Sequence, residues 1–225
     1  MKKILAFNGS PRSQGNTSYL LQHFLDGTGH HPETLEVIHP HELNLEYCHG
    51  CLRCNVLRRC SISGDDWEQI SGRILEADVL VFASPIYFHH LPGPLKILLD
   101  RFRSFNHVQI TESGLKHTPW HEWKKDFVLL LCMGSPDDSD ADPVIDLFRF
   151  VTSILGSGNR LHVIKATRLA VAKQVIKDRD ELRILYEKLK LPADLAEKDH
   201  QKNKSVLAEC KRLGNQLSGT HNQEV

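Results

Sequence analysis

The chain has no excess of charge of either sign, because its 28 lysines and arginines balance 28 aspartates and glutamates. A balanced chain gives no electrostatic reason to bind nucleic acid or an anionic membrane surface, so we expect neither partner. Long hydrophobic runs are also missing. The longest are Val79–Ala83 and Phe127–Met133, far short of the roughly 20 residues that cross a membrane.

Signs of secretion are equally scarce. The apolar run that follows Lys2 and Lys3 ends at Asn8, which is too short for a signal peptide. Four of the six cysteines crowd into thirteen residues, whereas a secreted disulfide scaffold spreads its cysteines along the chain. We therefore expect a cytoplasmic protein whose cysteine cluster binds metal or takes part in redox chemistry.

Short apolar runs alternate with segments of helical periodicity. The runs that predict strands are residues 3–7, 34–38, 79–83, 127–132 and 161–166. Strands that are apolar throughout indicate a parallel sheet covered by helices on both faces. We therefore predict an α/β fold, a flavodoxin-like doubly wound sheet of five parallel strands in the order 2-1-3-4-5.

Two segments do not fit this minimal pattern. Residues 104–126 read as a long polar connection, and residues 170–197 as a charged, partly helical stretch. No repeat or low-complexity linker divides the chain. We predict one domain over 1–218 with a cysteine-rich loop at 47–64, and a frayed tail at 219–225.

A loop rich in small and hydroxyl residues follows the first strand and ends where a helix begins. The free N–H groups and the dipole of a helix N-terminus favour an anion there. The loop has neither GxGxxG nor GxxxxGK[ST], which favours a terminal monophosphate. A tight turn with a helix cap is the alternative. The candidate phosphate ligands are Ser10, Arg12, Ser13, Asn16, Thr17 and Ser18.

Two motifs resemble the NADPH-dependent FMN reductase family of the flavodoxin-like superfamily. The first is Asn8-Gly9-Ser10-Pro11-Arg12 followed by Gly15-Asn16-Thr17, which is similar to that family's FMN phosphate loop. The second is Ala83-Ser84-Pro85-Ile86-Tyr87-Phe88 after the third strand, followed by Pro94-Leu95-Lys96 and Asp100-Arg101. The resemblance covers about residues 2–166 and the final helix. It implies a flavin ring held by Pro85, Ile86, Tyr87, Phe88 and Gly134.

The resemblance also implies an activity. Hydride passes from NAD(P)H to bound FMN, and the electrons go on to a quinone, a nitro- or azo-compound or another small acceptor. The flavin supplies this chemistry, so we predict no catalytic side chain and interpret His89 and His90 as exposed loop residues. A homodimer or homotetramer is implied as well. Its interface would include the helix on which Lys96 and Asp100 form an i,i+4 ion pair.

The cysteine cluster has the spacing Cys48-x2-Cys51-x2-Cys54-x5-Cys60. Such short spacings fold a chain around a compact centre, and four thiolates can hold one iron–sulfur cluster. The segment resembles that of the iron–sulfur flavoproteins, which relay single electrons from ferredoxin through a 4Fe-4S cluster to FMN. Plain thiols without metal, a zinc site and a redox-active CxxC stay open as alternatives. A further alternative, a redox-sensing regulatory protein that binds flavin or metal, is supported by this loop alone.

Overall fold

The structure is a computed structural model that describes residues 2–29 and 33–219. Apart from Gly219, the predicted frayed tail at 219–225 lies outside the described residues. Among these residues, no helix combines the length and the apolar character that crossing a bilayer requires.

Within residues 2–29 and 33–219, seven strands form one sheet and one separate hairpin. They are β1 (Ile4–Asn8), β2 (Leu35–Ile38), β3 (Val79–Pro85), β4 (Asn106–Thr111), β5 (Gly114–Pro119), β6 (Asp126–Cys132) and β7 (Arg160–Ala166). The sheet is all-parallel with the order β2-β1-β3-β6-β7. Since the hairpin takes the labels β4 and β5, this is the predicted order 2-1-3-4-5, and that prediction is confirmed.

Helices cover both faces of the sheet, as its apolar strands require. The helices of the described residues are α1 (Asn16–Gly27), α2 (Cys54–Leu57), α3 (Trp67–Glu76), α4 (Gly93–Arg101), α5 (Asp142–Leu155), α6 (Arg179–Lys188) and α7 (Leu195–Ser218). Helices α3, α4 and α5 pack on one face around Phe82, whose ring stacks on Phe7 with centroids 5.2 Å apart. Helices α1 and α7 pack on the other face.

Glycines allow α1 and α7 to cross at very short range. A Cβ on Gly27 would lie 2.0 Å from the carbonyl oxygen of Lys211, and one on Gly214 would lie 2.0 Å from that of Phe24. Any side chain at either position would force the two helices apart. The crossing therefore fixes α7 against the helix whose N-terminus faces the predicted phosphate site.

The prediction of a polar connection at 104–126 is wrong, because these residues contain the antiparallel hairpin β4–β5. Its strands are short and mostly exposed, and the cross-strand partners Ile110 and Leu115 are 81% and 61% exposed. A hairpin without a buried face lacks the alternation that identifies strands in a sequence. The charged stretch 170–197 is partly helical, as predicted, and contains α6.

Candidate cofactor site

The carboxyl ends of the parallel strands bring three loops together at one edge of the sheet. Register places Asn8 beside Ala83, and Cys132 beside both Pro85 and Ala166. Loops that follow β1, β3 and β6 therefore meet, in the position where ligands bind to doubly wound sheets. All the predicted flavin-binding residues lie in these loops or in the first turn of α1.

The loop after β1 is held in shape by its own hydroxyl groups. Ser10 Oγ accepts a hydrogen bond from the Arg12 N–H at 3.2 Å, and Ser18 Oγ donates to the Arg12 carbonyl at 3.1 Å. Asn8 Nδ2 donates to Ser18 Oγ at 3.1 Å. These bonds fold the chain around Arg12, so Ser10 and Ser18 shape the loop in addition to any contact with an anion.

Four main-chain N–H groups of this loop have no acceptor within the part of the chain that the structure describes. They belong to Ser13, Gln14, Asn16 and Thr17. Gly15 occupies the N-cap of α1, no side chain caps that helix, and its first turn contains no acidic residue. The exposed guanidinium of Arg12 has no protein partner among the described residues either. A doubly charged phosphate would satisfy these donors, because a helix N-terminus and unpaired N–H groups attract anions.

Gly15 allows the loop to fold tightly on itself. A Cβ at this position would lie 2.9 Å from Ser10 Oγ and 3.1 Å from the Arg12 carbonyl oxygen. The first contact is closer than real Cβ atoms show, so the loop would have to shift. The geometry therefore fits a phosphate-binding cradle whose floor has to be glycine.

Two of the predicted phosphate ligands point into the protein. Asn16 Nδ2 donates to the carbonyls of Leu169 and Val171 at 3.2 and 2.8 Å, and its Oδ1 accepts from the Val175 N–H at 2.9 Å. Its side chain therefore has little capacity left for a phosphate, and only its main-chain N–H stays free. Asn16 instead ties the loop after β7 to the start of α1.

Thr17 is 2% exposed, and its side chain is hydrogen-bonded with the thiol of Cys132. Burial raises the pKa of this thiol to about 12, against the opposing effect of that hydrogen bond. The thiol therefore stays protonated at neutral pH and acts as a neutral packing group.

The loop after β3 ends in a tight turn with unusual backbone geometry. Tyr87 and His90 exchange two main-chain hydrogen bonds of 3.0 Å, and the residues between them, Phe88 and His89, have φ values of 49° and 61°. Positive φ at both central positions is the pattern of a type I′ turn, which normally selects glycine or asparagine. Such strain concentrates at ligand sites.

This turn presents both rings and donors at the edge of the sheet. Tyr87 is 44% exposed and Phe88 is fully exposed. The Ile86 N–H is taken by the Cys132 carbonyl and the Tyr87 N–H by His90, but the N–H groups of Phe88 and His89 have no acceptor among the described residues. Two donors therefore lie beside an aromatic surface.

The loop after β6 has a backbone clasp of its own. The Arg168 N–H donates to the Ser135 carbonyl at 2.8 Å, and the Leu169 N–H donates to the Met133 carbonyl at 2.9 Å. Gly134 lies between these bonds, where an added Cβ would already contact Ala170 at 3.4 Å. The segment after β7 thus supports both the β6 loop and, through Asn16, the phosphate loop.

Sequence reasoning missed the residues that provide this support. Arg168 lies 2.9 Å from a carboxylate oxygen of the buried Asp199, which also accepts from Tyr186 at 2.5 Å and from Lys202 at 2.8 Å. These side chains connect the loop that follows β7 to helices α6 and α7. No short motif marks them, because their contacts depend on the tertiary fold.

The four clustered cysteines lie in the loop between β2 and α3 and differ in burial. Cys54 is buried, Cys48 and Cys60 are half-buried, and Cys51 is exposed. Burial raises the pKa of Cys54, against the opposing effect of the Arg103 charge. Hydrogen bonding from Ser61 lowers the pKa of Cys51.

Arg103 connects Cys54 to the hairpin. Its Nη1 lies 3.5 Å from Cys54 Sγ and 2.6 Å from the Asn106 carbonyl oxygen, while its Nη2 donates to Asn55 Oδ1 at 3.0 Å. Among the described residues, no three cysteine sulfurs approach within 4.8 Å of one another. The thiols are therefore not arranged around a single ion such as zinc. An iron–sulfur cluster would have to be bound by sulfurs that lie further apart.

Solved structures with the same fold include enzymes described as reductases. An azoreductase from Bacillus anthracis str. Sterne shares 17% identity with a TM-score of 0.62, over 96% of this chain and 100% of that one. An NAD(P)H:quinone oxidoreductase from Methanothermobacter marburgensis shares 15% identity with a TM-score of 0.61, over 96% and 98% of the two chains. At such low identity these likenesses establish the fold alone.

Curated sequences give closer matches over shorter stretches. An iron–sulfur flavoprotein of Methanocaldococcus jannaschii is 35% identical over 101 residues, which are 45% of this chain and 52% of that protein. A Bacillus subtilis protein named for NAD(P)H-dependent, FMN-containing oxidoreductase activity is 34% identical over 102 residues, 44% of this chain and 51% of that one. This chain therefore matches about half the length of these relatives.

The family comparison covers most of the chain. The sequence profile of the NADPH-dependent FMN reductases matches residues 2–171, a range that contains the sheet and all three loops described above. The chain thus belongs to the NADPH-dependent FMN reductase family.

Proposed function

We propose that this chain is an FMN-dependent oxidoreductase that takes hydride from NAD(P)H and reduces a small acceptor such as a quinone or a nitro- or azo-compound. FMN, when bound, would supply the hydride chemistry. The observation on which the proposal depends is the phosphate cradle. Four free N–H groups, the guanidinium of Arg12 and the uncapped N-terminus of α1 converge where family membership leads us to expect the FMN phosphate.

The other two loops would hold the ring. Tyr87 and Phe88 offer aromatic surface, and Pro85, Ile86 and Gly134 would complete the pocket. The free N–H groups of Phe88 and His89 can stabilise negative charge that develops on a flavin oxygen, because unpaired donors need no reorganisation to do so. No side chain has to act as nucleophile or base in this arrangement.

Two variants separate charge from shape at the phosphate cradle. Arg12→Ala removes an exposed cation, so FMN affinity should fall about tenfold or more, and this difference should shrink as salt is added. Ser10→Ala removes the hydroxyl that accepts from the Arg12 N–H, so its effect should not depend on salt. Flavin fluorescence titration measures both. Arg212→Ala on the outer face of α7 is the matched control.

An unchanged FMN affinity in both variants would mean that the phosphate binds elsewhere. Catalysis is tested separately, by steady-state oxidation of NADH and NADPH with a benzoquinone as acceptor. Full FMN loading without turnover would contradict the proposed oxidoreductase activity but not the assignment of the phosphate site. We also expect a homodimer or homotetramer, to be measured by light scattering on the FMN-loaded protein.

A second candidate function is that of an iron–sulfur flavoprotein that receives single electrons from ferredoxin. It is favoured by the four cysteines and by the contact between Arg103 and Cys54, because a guanidinium offsets the charge of cluster-bound thiolates. Cys48, Cys51, Cys54 and Cys60 would be the ligands of the 4Fe-4S cluster.

Iron analysis after purification without oxygen separates the two candidates. About four irons per chain with broad visible absorption would support the cluster. Iron-free protein whose flavin is fully reduced by NADPH alone would reject it. Cys54→Ser should then remove iron in the first case and leave turnover with NADPH unchanged in the second.

A further inference from the structure

The cysteine loop and the segment after the hairpin meet at a cavity that the flavin site does not use. Its walls come from residues 58–63, from α3 and from residues 120–123. The cavity has a volume of about 210 Å³. None of the predicted phosphate or ring ligands lines it.

Four Trp and Phe side chains contribute to the wall. Trp67 and Phe105 lie with ring centroids 5.5 Å apart, and Phe105 and Trp123 with centroids 5.2 Å apart. Trp120 completes the lining, so all three tryptophans of the chain surround this one cavity. These rings pack directly against one another, and the faces and edges that remain free can stack with a flat, aromatic occupant.

The polar groups of the cavity are mainly donors. Arg58 and Arg59 lie at its border beside a single acidic residue, Glu68, and the Arg58 guanidinium stacks 5.2 Å from the centre of the Trp120 ring. The indole N–H groups of Trp120 and Trp123 are buried without an acceptor among the described residues. Buried donors without partners are uncommon, but both nitrogens are inaccessible to solvent, so the two arginines are the donors that a ligand in the cavity can reach.

The volume limits the size of the occupant. A cavity of roughly 150 Å³ holds one benzene molecule, so 210 Å³ has room for one ring with a small substituent. Flavins and nicotinamide dinucleotides are much larger. The excess of arginine over acid at the border favours a negative substituent.

We propose that this cavity binds a small monocyclic aromatic acid of the benzoate class. The ring lies against the aromatic side chains of the wall, and the carboxylate faces Arg58 and Arg59. This ligand site is separate from the FMN site, and because Cys60 lies in its wall it belongs to the protein without an iron–sulfur cluster.

Calorimetric titration of the FMN-loaded protein with benzoate tests the proposal. We expect saturable binding of one benzoate per chain with a Kd below about 1 mM, together with a change in tryptophan fluorescence, since every tryptophan borders the cavity. Benzyl alcohol, a neutral compound of similar shape, should bind at least about tenfold more weakly.

The double variant Arg58→Gln, Arg59→Gln should lose benzoate affinity about tenfold while its binding of benzyl alcohol stays the same. Both arginines are exposed, so the fold should tolerate the change. Arg179→Gln on the outer face of α6 is the matched control. Absence of saturation, equal affinity for benzoate and benzyl alcohol, or a double variant that binds benzoate like the parent would each overturn the proposal.

Discussion

The side chain of Asn16 accepts a hydrogen bond from the main-chain N–H of Val175, 159 positions later in the chain, at 2.9 Å. Its amide also donates to the carbonyls of Leu169 and Val171. One side chain at the start of α1 thereby fixes the segment after β7. Because that segment also clasps the β6 loop, Asn16 couples two of the three loops that we assign to FMN.

Asn16→Leu keeps the size of the side chain but leaves two buried main-chain groups without partners, the Leu169 carbonyl and the Val175 N–H, since the Val171 carbonyl also accepts from the Gln174 N–H. Each such group costs about 1–3 kcal/mol, so the free energy of unfolding should fall by about 2 kcal/mol or more in urea titrations. FMN affinity should fall as well, since the loops lose their common anchor. Gln69→Leu, at an exposed position on α3, is the control and should change neither quantity. Normal FMN affinity in the Asn16 variant would show that the loops hold their positions without this anchor.

Gly15→Ala tests the floor of the phosphate cradle. The new Cβ would lie 2.9 Å from Ser10 Oγ, so the loop must shift, and we expect about a tenfold loss of FMN affinity with a stability cost of about 1 kcal/mol. Gly72→Ala on α3 is the matched control, because nothing lies within 4 Å of its Cβ position. That variant should gain about 0.5–1 kcal/mol of stability from helix propensity and bind FMN normally. Equal FMN affinity in both variants would place the phosphate elsewhere.

The sheet was predictable because its strands are buried on both faces, and uninterrupted apolar runs such as Phe127–Cys132 reveal that burial directly. Asn16 shows the limit of this reasoning. From the sequence, an amide at a helix N-terminus is expected to donate to a phosphate. The carbonyl groups to which the Asn16 amide donates instead lie more than 150 positions away in the chain. The hairpin around Ile110 could not be predicted because its strands bury neither face. Their sequence therefore shows no alternation of apolar and polar residues.

Thiol reactivity should follow burial. Cys51 is exposed, whereas Cys132 and Cys210 are buried and have pKa values raised to about 12 by burial. Brief treatment of the iron-free protein with iodoacetamide at pH 8 should therefore modify Cys51 and leave the other two unmodified until urea unfolds the chain. Peptide mass spectrometry measures the modified fraction at each position. Rapid modification of Cys132 in the folded protein would contradict its burial beneath the phosphate loop.

Asp126 should make the fold sensitive to acid. Its buried carboxylate pairs with His162 at 2.9 Å, Arg160 at 2.8 Å and Lys2 at 3.0 Å. Burial opposes ionisation, but these three partners together hold the pKa of Asp126 well below its ordinary value. A carboxyl group whose pKa is lower in the folded state stabilises the fold above its unfolded pKa of about 3.9 and loses that effect as the pH falls.

Asp126→Asn should accordingly lower the free energy of unfolding by about 2 kcal/mol at pH 7, since hydrogen bonds to a charged group contribute about 1.5–3 kcal/mol. The difference from the parent protein should narrow between pH 5 and pH 2, because the parent carboxylate gradually loses its advantage over an amide. Urea titrations at several pH values measure this narrowing. Asp180→Asn, at an exposed position on α6, is the control and should give only a small difference at pH 7. A pH-independent difference for Asp126→Asn would mean that its partners contribute packing rather than charge.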